Sequence, residues 1–372
     1  MGWCRREAGG LNPGLWAVAL VLLAGCEIQL GPPERSGGSG GSGGAFEGGA
    51  GGLPSGGVGA QGPSGEVWVY TSIYQSVIEQ LDPIILARYP KLKVQWYRAG
   101  SEKVATRLEA ELQAGGTQAD LLMTSDPFWY LKLKEEGHLT PYVTVDVLPI
   151  ARNLVDPDGT SATCRVSSMV IAYNPDMIAE AEAPRSFKAL IEPRYKDKVT
   201  LGDPLSSGTH FTTTAFLSTR YGWSYYESLR AQGALASGGN SSVLRRVEGK
   251  EFPIGVVLLE NVLASQKTGS PVRYILPEDG VITIPGGIAI LKMTDNLGGA
   301  RAIYDLIMSP EGQRAMVVGD MHSANPRIPP PGGTPAFERV DLGQFLWTDA
   351  FTEDIKNKAP QIKADFDRVM NK

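Results

Sequence analysis

Two spacings of apolar residues recur along the chain. Within SEKVATRLEAEL, Val104, Leu108 and Leu112 return every four residues, the pattern of a helix with one buried stripe. Between such stretches lie short, largely apolar runs: EVWVY at 66–70, KVQWY at 93–97, ADLLM at 119–123, SSMVIAYN at 167–174, KVTLGD at 198–203 and FPIGVVLL at 252–259. Runs of this length bounded by polar turns read as buried strands. SFKALIEPRY reads as a short helix and NSSVLRRVEGKE as a capped one. VITIPGGIAIL carries the chain back, and a helix follows around ARAIYDLIM. Strand, polar loop and helix in repeated succession predict an α/β body with a mostly parallel sheet.

The loops that follow the strands are alike in chemistry. They contain Thr71-Ser72, Arg98 to Ser101, Thr124-Ser125, Ser206 to Thr209 and Glu260-Asn261. Ser101 is the expected N-cap of its helix, with Glu102 in the first turn where its charge suits the helix dipole. Pro127 stands near the first position of the next helix. In open α/β sheets, ligands bind outside the carboxyl ends of the strands, where helices begin. Hydroxyls, an amide and glycines there, with one base and one acid, describe a polar small-molecule site whose N–H groups face an anion.

The stretch DPLSSGTHFTTTAFL (203–217) concentrates this chemistry and admits three readings. Its hydroxyls could cap a helix, cradle an anion, or supply a serine nucleophile with His210 as base. A serine hydrolase needs a strained elbow, commonly G-x-S-x-G, and PLSSGTH lacks it. The cap and cradle readings are compatible with each other. The chain is therefore expected to be a binding protein and not an enzyme.

The first 65 residues are of another kind. Arg5 and Arg6 precede an apolar stretch from Leu15 to Leu23, which ends in Leu-Ala-Gly-Cys at 23–26. That stretch is well short of the roughly 20 residues of a membrane-spanning helix. The pattern looks like a bacterial lipobox, so residues 1–25 are expected to be a signal peptide and Cys26 to carry lipid. Residues 26–65 are then a tether rich in glycine and serine, too poor in apolar residues to fold. About 35 residues of flexible coil span roughly 30 to 35 Å.

Composition removes further possibilities. A net charge of −5 gives no basic face for nucleic acid. Of the 3 cysteines, Cys4 leaves with the signal and Cys26 is lipidated, so Cys164 has no disulfide partner. His138, His210 and His322 are scattered without metal-ligand spacing, and no cofactor motif is present.

Taken in order, VYTS (69–72), ADLLMTSDP (119–127), IAYNPDMI (171–178), FKALIEPRYKDKVTLGDPLSSGT (187–209), NSSVLRRVEGKEFPIGVV (240–257) and SPEGQRAM (309–316) resemble a known family. It comprises the lipid-anchored or periplasmic solute-binding proteins of ATP-binding-cassette (ABC) importers, in the group of ferric-iron, polyamine, thiamine, phosphonate and sugar-phosphate binders. The resemblance implies a two-lobed type II periplasmic-binding-protein fold, each lobe a mixed sheet flanked by helices, with the ligand cleft between. Residues 66–165 and 288–335 would form one lobe, and 166–287 with 336–372 the other.

Ferric-binding members place a histidine after strand one, where this chain has Tyr74 or its neighbours. They place a carboxylate after strand three, at Ser125 beside Asp126, and paired tyrosines where Glu260-Asn261 stand. The hydroxyl-rich loops instead resemble the phosphonate and sugar-phosphate members. By that resemblance Ser72, Ser101, Thr124, Ser125, Ser206, Ser207 and Thr209 would donate to a phosphoryl group, with charge from Arg98 or Lys103. Glu260 and Asn261 would read the other end of the solute, and Tyr74, Trp129 or Trp223 would cover an apolar face. The expected protein is a monomer in the bacterial cell envelope, on its periplasmic or extracellular side, delivering a small anionic solute to an inner-membrane permease. A carrier of ferric iron or another metal and a sensor or interaction lipoprotein are the alternatives.

Overall fold

A computed structural model describes residues 62–336 and 347–372. The expected signal peptide, the lipidated Cys26 and nearly all of the tether lie outside the described residues. Strand β1 (Gly65–Thr71) pairs in parallel with β2 (Leu92–Arg98) and with β3 (Leu121–Met123). The intervening helices are α1 (Gln75–Arg88) and α2 (Ser101–Gln113), and α3 (Pro127–Glu135) follows β3. Alternation along β1 divides its side chains between two layers. Val67 and Val69 enter the core beneath α1, while Tyr70 packs with Val104 and Leu108 of α2.

The second half repeats the plan. After β4 (Leu139–Thr140), strand β5 (Ala162–Tyr173) runs for 12 residues, every one of them buried. Next come β6 (Val199–Leu201), α4 (Gly208–Tyr221), α5 (Trp223–Ala231), β7 (Leu235–Ala236) and α6 (Asn240–Glu248). They are followed by β8 (Ile254–Leu258), α7 (Leu259–Lys267) and β9 (Arg273–Ile275). Here β6 pairs in parallel with β7 and β8, and β8 runs antiparallel to β5. A second core forms from Ile171, Leu201, Ile254, Val256 and Leu258 under the α4–α5 side, and Val243, Val247 and Val257 pack on the other face.

Two strands join the halves. β10 (Ile282–Leu291) leaves β3 and pairs antiparallel with β5, with a register shift between Gly286 and Gly287. The sheet order is β2-β1-β3-β10-β5-β8-β6-β7, a mixed sheet flanked by helices as the family resemblance implies. It is not the mostly parallel sheet that strand–helix alternation predicts, because β5 and β10 run antiparallel to each other and to their neighbours β8 and β3. α8 (Leu297–Met308), α9 (Pro310–Val318) and β11 (His322–Ser323) return to the first half, where Ile303, Ile307 and Met316 complete its core.

Some elements depart from expectation. SFKALIEPRY forms two short 3-10 turns, Lys188–Ile191 and Pro193–Tyr195, because Pro193 has no N–H with which to continue a helix. The strand expected at 167–174 begins five residues earlier, at Ala162, which makes β5 long enough to serve both halves. The last helix, α10 (Asp349–Phe366), was expected with the second half but packs on both. Its Ile355 and Ile362 share a cluster with Phe128 of α3 and Phe211 of α4, and Lys363 pairs with Glu102 of α2 at 2.6 Å. Among the described residues no helix is long and apolar enough to cross a membrane.

Candidate functional site

The helices α1, α2, α3, α4, α6 and α7 all begin at one cleft, which encloses a cavity of about 480 Å³. From the first half Ser72, Tyr74, Arg98, Ser101 and Ser125 line it, and Lys103 joins them. From the second half come Ser206, Ser207, Thr209, Glu260 and Asn261. Thr124 is the exception among the expected residues. It is fully buried and does not line the cavity; its backbone N–H donates to the Tyr130 hydroxyl at 2.9 Å and its carbonyl accepts from Gly287 N–H at 2.9 Å. Trp129 packs in the first core with its Nε1 donating to Glu109 at 3.1 Å, and Trp223 packs against the second core. Neither lines the cavity.

Arg165, which the sequence reasoning passed over, lies at the centre. It occupies β5, is 1 % exposed and lines the cleft. One of its nitrogens, Nη2, donates to Ser125 Oγ at 2.9 Å and to Ser72 Oγ at 3.2 Å. Among the described residues no carboxylate pairs with it. Room for the guanidinium comes from Gly286 in β10, where a Cβ would stand 2.7 to 2.9 Å from Arg165 Cγ, Cζ and Nη1. An arginine inside the apolar run ATCRVSSMVIAY was the available signal, since an isolated charge on a buried strand is costly unless something answers it.

The hydroxyls are held by short local networks. Ser101 does not cap α2; Gly100 takes that position. Instead Ser101 Oγ accepts from the Ser125 N–H at 3.2 Å and lies 3.2 Å from Ser72 Oγ. Ser207 does cap α4, accepting from the His210 N–H at 3.4 Å, and its Oγ lies 3.0 Å from Thr209 Oγ1. Thr209 Oγ1 in turn accepts from Asn240 Nδ2 at 2.8 Å. Asn240, Ser241 and Ser242, at the start of α6, also line the cleft and were not among the expected residues. The two halves also approach closely at Gly208. A Cβ on it would lie 3.1 Å from Ser101 Cβ and 3.2 Å from the Ser125 carbonyl oxygen.

Glu260 and Asn261 open α7. Glu260 is 2 % exposed, and among the described residues its Oε1 has no hydrogen-bond partner. Burial pushes its carboxyl up to about 7, against the downward pull of the Ser167 hydroxyl and the Arg165 charge. The Tyr74 hydroxyl donates to Asn261 Oδ1 at 3.0 Å. Burial first, and then Glu260, holds the Tyr74 phenol well above its ordinary range.

The hydrolase geometry does not form. The His210 ring packs against Gly202, its Nε2 has no partner among the described residues, and burial lowers its pKa to about 4. Ser207 meets the backbone N–H of His210 and not the ring. Among the described residues no cluster of three or more His, Cys, Asp or Glu side chains could hold a metal ion.

Two α/β halves, joined by two crossing strands and closing on a polar cleft ringed by helix N-termini, define the type II periplasmic-binding-protein class. Residues 117–332 match the family of bacterial extracellular solute-binding proteins, and the chain belongs to that family. It is 25 % identical over 224 residues to a Sinorhizobium fredii protein named as a probable ABC transporter periplasmic-binding protein, y4fP. That alignment covers 57 % of this chain and 62 % of the relative, so the chain spans about three-fifths of its length. The periplasmic binding protein AfuA of Actinobacillus pleuropneumoniae, with fructose-6-phosphate bound, superposes with a TM-score of 0.71 at 21 % identity. This match covers 82 % of this chain and 98 % of AfuA. Iron-bound HitA of Pseudomonas aeruginosa gives a TM-score of 0.70 at 18 % identity, covering 81 % of this chain and 99 % of HitA. At these identities the two structures speak to the fold alone.

Proposed function

We propose that the protein is the substrate-binding component of an ABC importer, capturing a small phosphorylated or phosphonate-bearing solute in the cleft and delivering it to a permease. One observation carries this reading: the Arg165 guanidinium is buried at the cleft and, among the described residues, no carboxylate forms an ion pair with it. A buried cation of this kind is satisfied by an anionic guest, and charge-assisted hydrogen bonds strengthen as the closing halves exclude water. Seryl and threonyl hydroxyls and the helix N-termini of α2, α4 and α6 add donors around it. Arg98 and Lys103 supply further positive charge. Glu260, buried with an unpartnered oxygen, reads a hydrogen-bond donor on the remainder of the solute.

The same observation argues against ferric iron. Fe³⁺ wants phenolate and carboxylate oxygens, whereas Tyr74 is the only tyrosine among the residues lining the cleft and its hydroxyl is engaged as a donor to Asn261. The Arg165 charge would repel a trivalent cation. The ligand undergoes no chemistry in this reading, and a lipid on Cys26 with the glycine-rich tether would hold the protein, a monomer, at the membrane.

Mass spectrometry of the ligand carried through purification tests the proposal, backed by thermal shift with hexose phosphates, phosphonates, polyamines, thiamine and Fe³⁺. A solute at about 1,000 times its Kd stabilises the native state by about 4 kcal/mol, a plainly visible shift. A response to phosphoryl compounds supports the reading. A response to iron alone overturns it, and silence across the panel favours an interaction module.

A further inference from the structure

Among the described residues, Asp197, Lys250 and Asp320 have a left-handed backbone without being glycine. The first two are exposed, whereas Asp320, with φ 64°, is only 5 % exposed. Asp320 follows the end of α9. Its N–H donates to the Val317 carbonyl at 3.0 Å, and the Met321 N–H donates to the Met316 carbonyl at 3.3 Å. That is the hydrogen-bond pattern of a Schellman turn, and Asp320 holds the position that glycine usually takes. An acid there also faces the negative end of the helix dipole. Both local preferences are overridden at a buried position, and the reason lies across the molecule.

Asp320 Oδ1 pairs with Lys267 Nζ at 2.6 Å. The two residues belong to different halves. Met316 and Met321, on either side of Asp320, sit in the first core. Lys267 ends α7, whose Leu259, Val262 and Leu263 pack on β5 and β8 of the second half. The same helix carries Glu260 and Asn261 at its start, and Asn261 accepts from Tyr74 of the first half. From Asn261 to Lys267 is about 9 Å of helix axis. α7 is therefore fastened to the first half at both ends, by a neutral hydrogen bond at the cleft and by an ion pair outside it. Neither Lys267 nor Asp320 lines the cavity. Burial and the charges of Glu260 and Asp320 push the Tyr74 phenol up, which keeps its hydrogen in place for Asn261.

We propose that Lys267 and Asp320 are positioning residues for capture: their ion pair fastens the outer end of α7 to the first half and so presents Glu260 and Asn261 to the guest. The inference rests on the reading of the cleft as a receptor that closes on a small anion, and adds to it two residues that touch no guest. When the halves swing apart Lys267 leaves Asp320, so the pair favours the closed arrangement over the open one.

Titration calorimetry with a hexose 6-phosphate and an alkylphosphonate, run beside melting curves of the unliganded protein, tests this. Asp320→Gly suits the left-handed backbone and removes the clash with the dipole. Its Tm is expected to hold or rise while affinity falls about fivefold, the worth of an ion pair with one exposed partner. Lys267→Met, at a side chain 60 % exposed, is expected to lose at least as much affinity with its fold intact. Lys267→Arg restores the charge and should stay within about twofold of the wild type. Combining Asp320→Gly with Lys267→Met should cost no more than Asp320→Gly alone. A fall in affinity matched by a fall in unliganded Tm makes the pair plain structure and overturns the proposal. So does unchanged affinity in Lys267→Met, or a loss in Lys267→Arg equal to that in Lys267→Met. If the wild type binds neither the ester nor the phosphonate, the anion-receptor reading itself falls and this inference with it.

Discussion

The Tyr74 hydroxyl donates to Asn261 Oδ1 over 3.0 Å, joining residues 187 positions apart in the chain. Tyr74 precedes α1 in the first half and Asn261 lies in the first turn of α7 in the second, so this bond spans the cleft. Gly208 makes a second bridge, seated against Ser101 and Ser125. Both contacts tie the two halves together across the cleft, and a swing of the halves apart about β5 and β10 would break both.

Tyr74→Phe removes one such contact without changing the ring. A net hydrogen bond contributes about 0.5 to 1.5 kcal/mol, so affinity for a hexose phosphate is expected to fall about 2- to 10-fold. Melting of the unliganded protein should change little. Titration calorimetry and a melting curve on the same preparation separate the two effects.

Gly208→Ala places a methyl group where Ser101, Ser125 and Asp126 already stand, the last with its Cβ at 3.3 Å. Overpacking of this kind costs about 1 to 3 kcal/mol, which predicts a loss of about 5- to 100-fold in affinity. Alanine is the better helix former, so α4 itself is not weakened. Small-angle scattering with ligand present should report a larger radius for the variant. An unchanged radius and affinity would remove Gly208 from the closing surface.

Arg165→Lys retains a charge, but its compact ammonium lacks the planar guanidinium that places a donor between Ser72 and Ser125. Loss of a buried, hydrogen-bonded charge contact costs about 2 to 5 kcal/mol, so phosphate-ester affinity should drop by at least about 30-fold. Gly286→Ala is expected to give part of that loss without changing any residue that lines the cleft, because its Cβ would displace the guanidinium.

Glu260 ties stability to pH. Its folded-state pKa, raised to about 7, lies above the ordinary carboxylate value near 4.5, so the folded state holds its proton more tightly than the unfolded one. Stability of the unliganded protein therefore falls as pH rises from about 4.5 to about 7 and stays lower above that. Glu260→Gln removes this contribution. Its melting temperature relative to wild type should climb between pH 5 and pH 8, and a constant difference across that range would contradict the burial argument.

The amino-acid sequence determined the elements that depend on near neighbours. Periodicity marked α2, apolar runs marked β1, β2 and β8, and Ser207 ahead of an apolar helix marked the start of α4. The recurrence of hydroxyl loops after strands also located most of the cleft, because helix starts in an α/β sheet share one edge. What tertiary structure alone decided was how those groups are partnered. Arg165 reaches the cleft only because β10 presents Gly286 opposite it, 121 positions further along the chain. Asn240 lines the cleft only because α6 starts beside Thr209 and Leu258, and Thr124 drops out because it is fully buried and does not line the cavity. A helix cap is a local property. The partners of a hydroxyl, and the burial that raises Glu260, are set by residues brought together from distant parts of the chain, and no short stretch of sequence contains them.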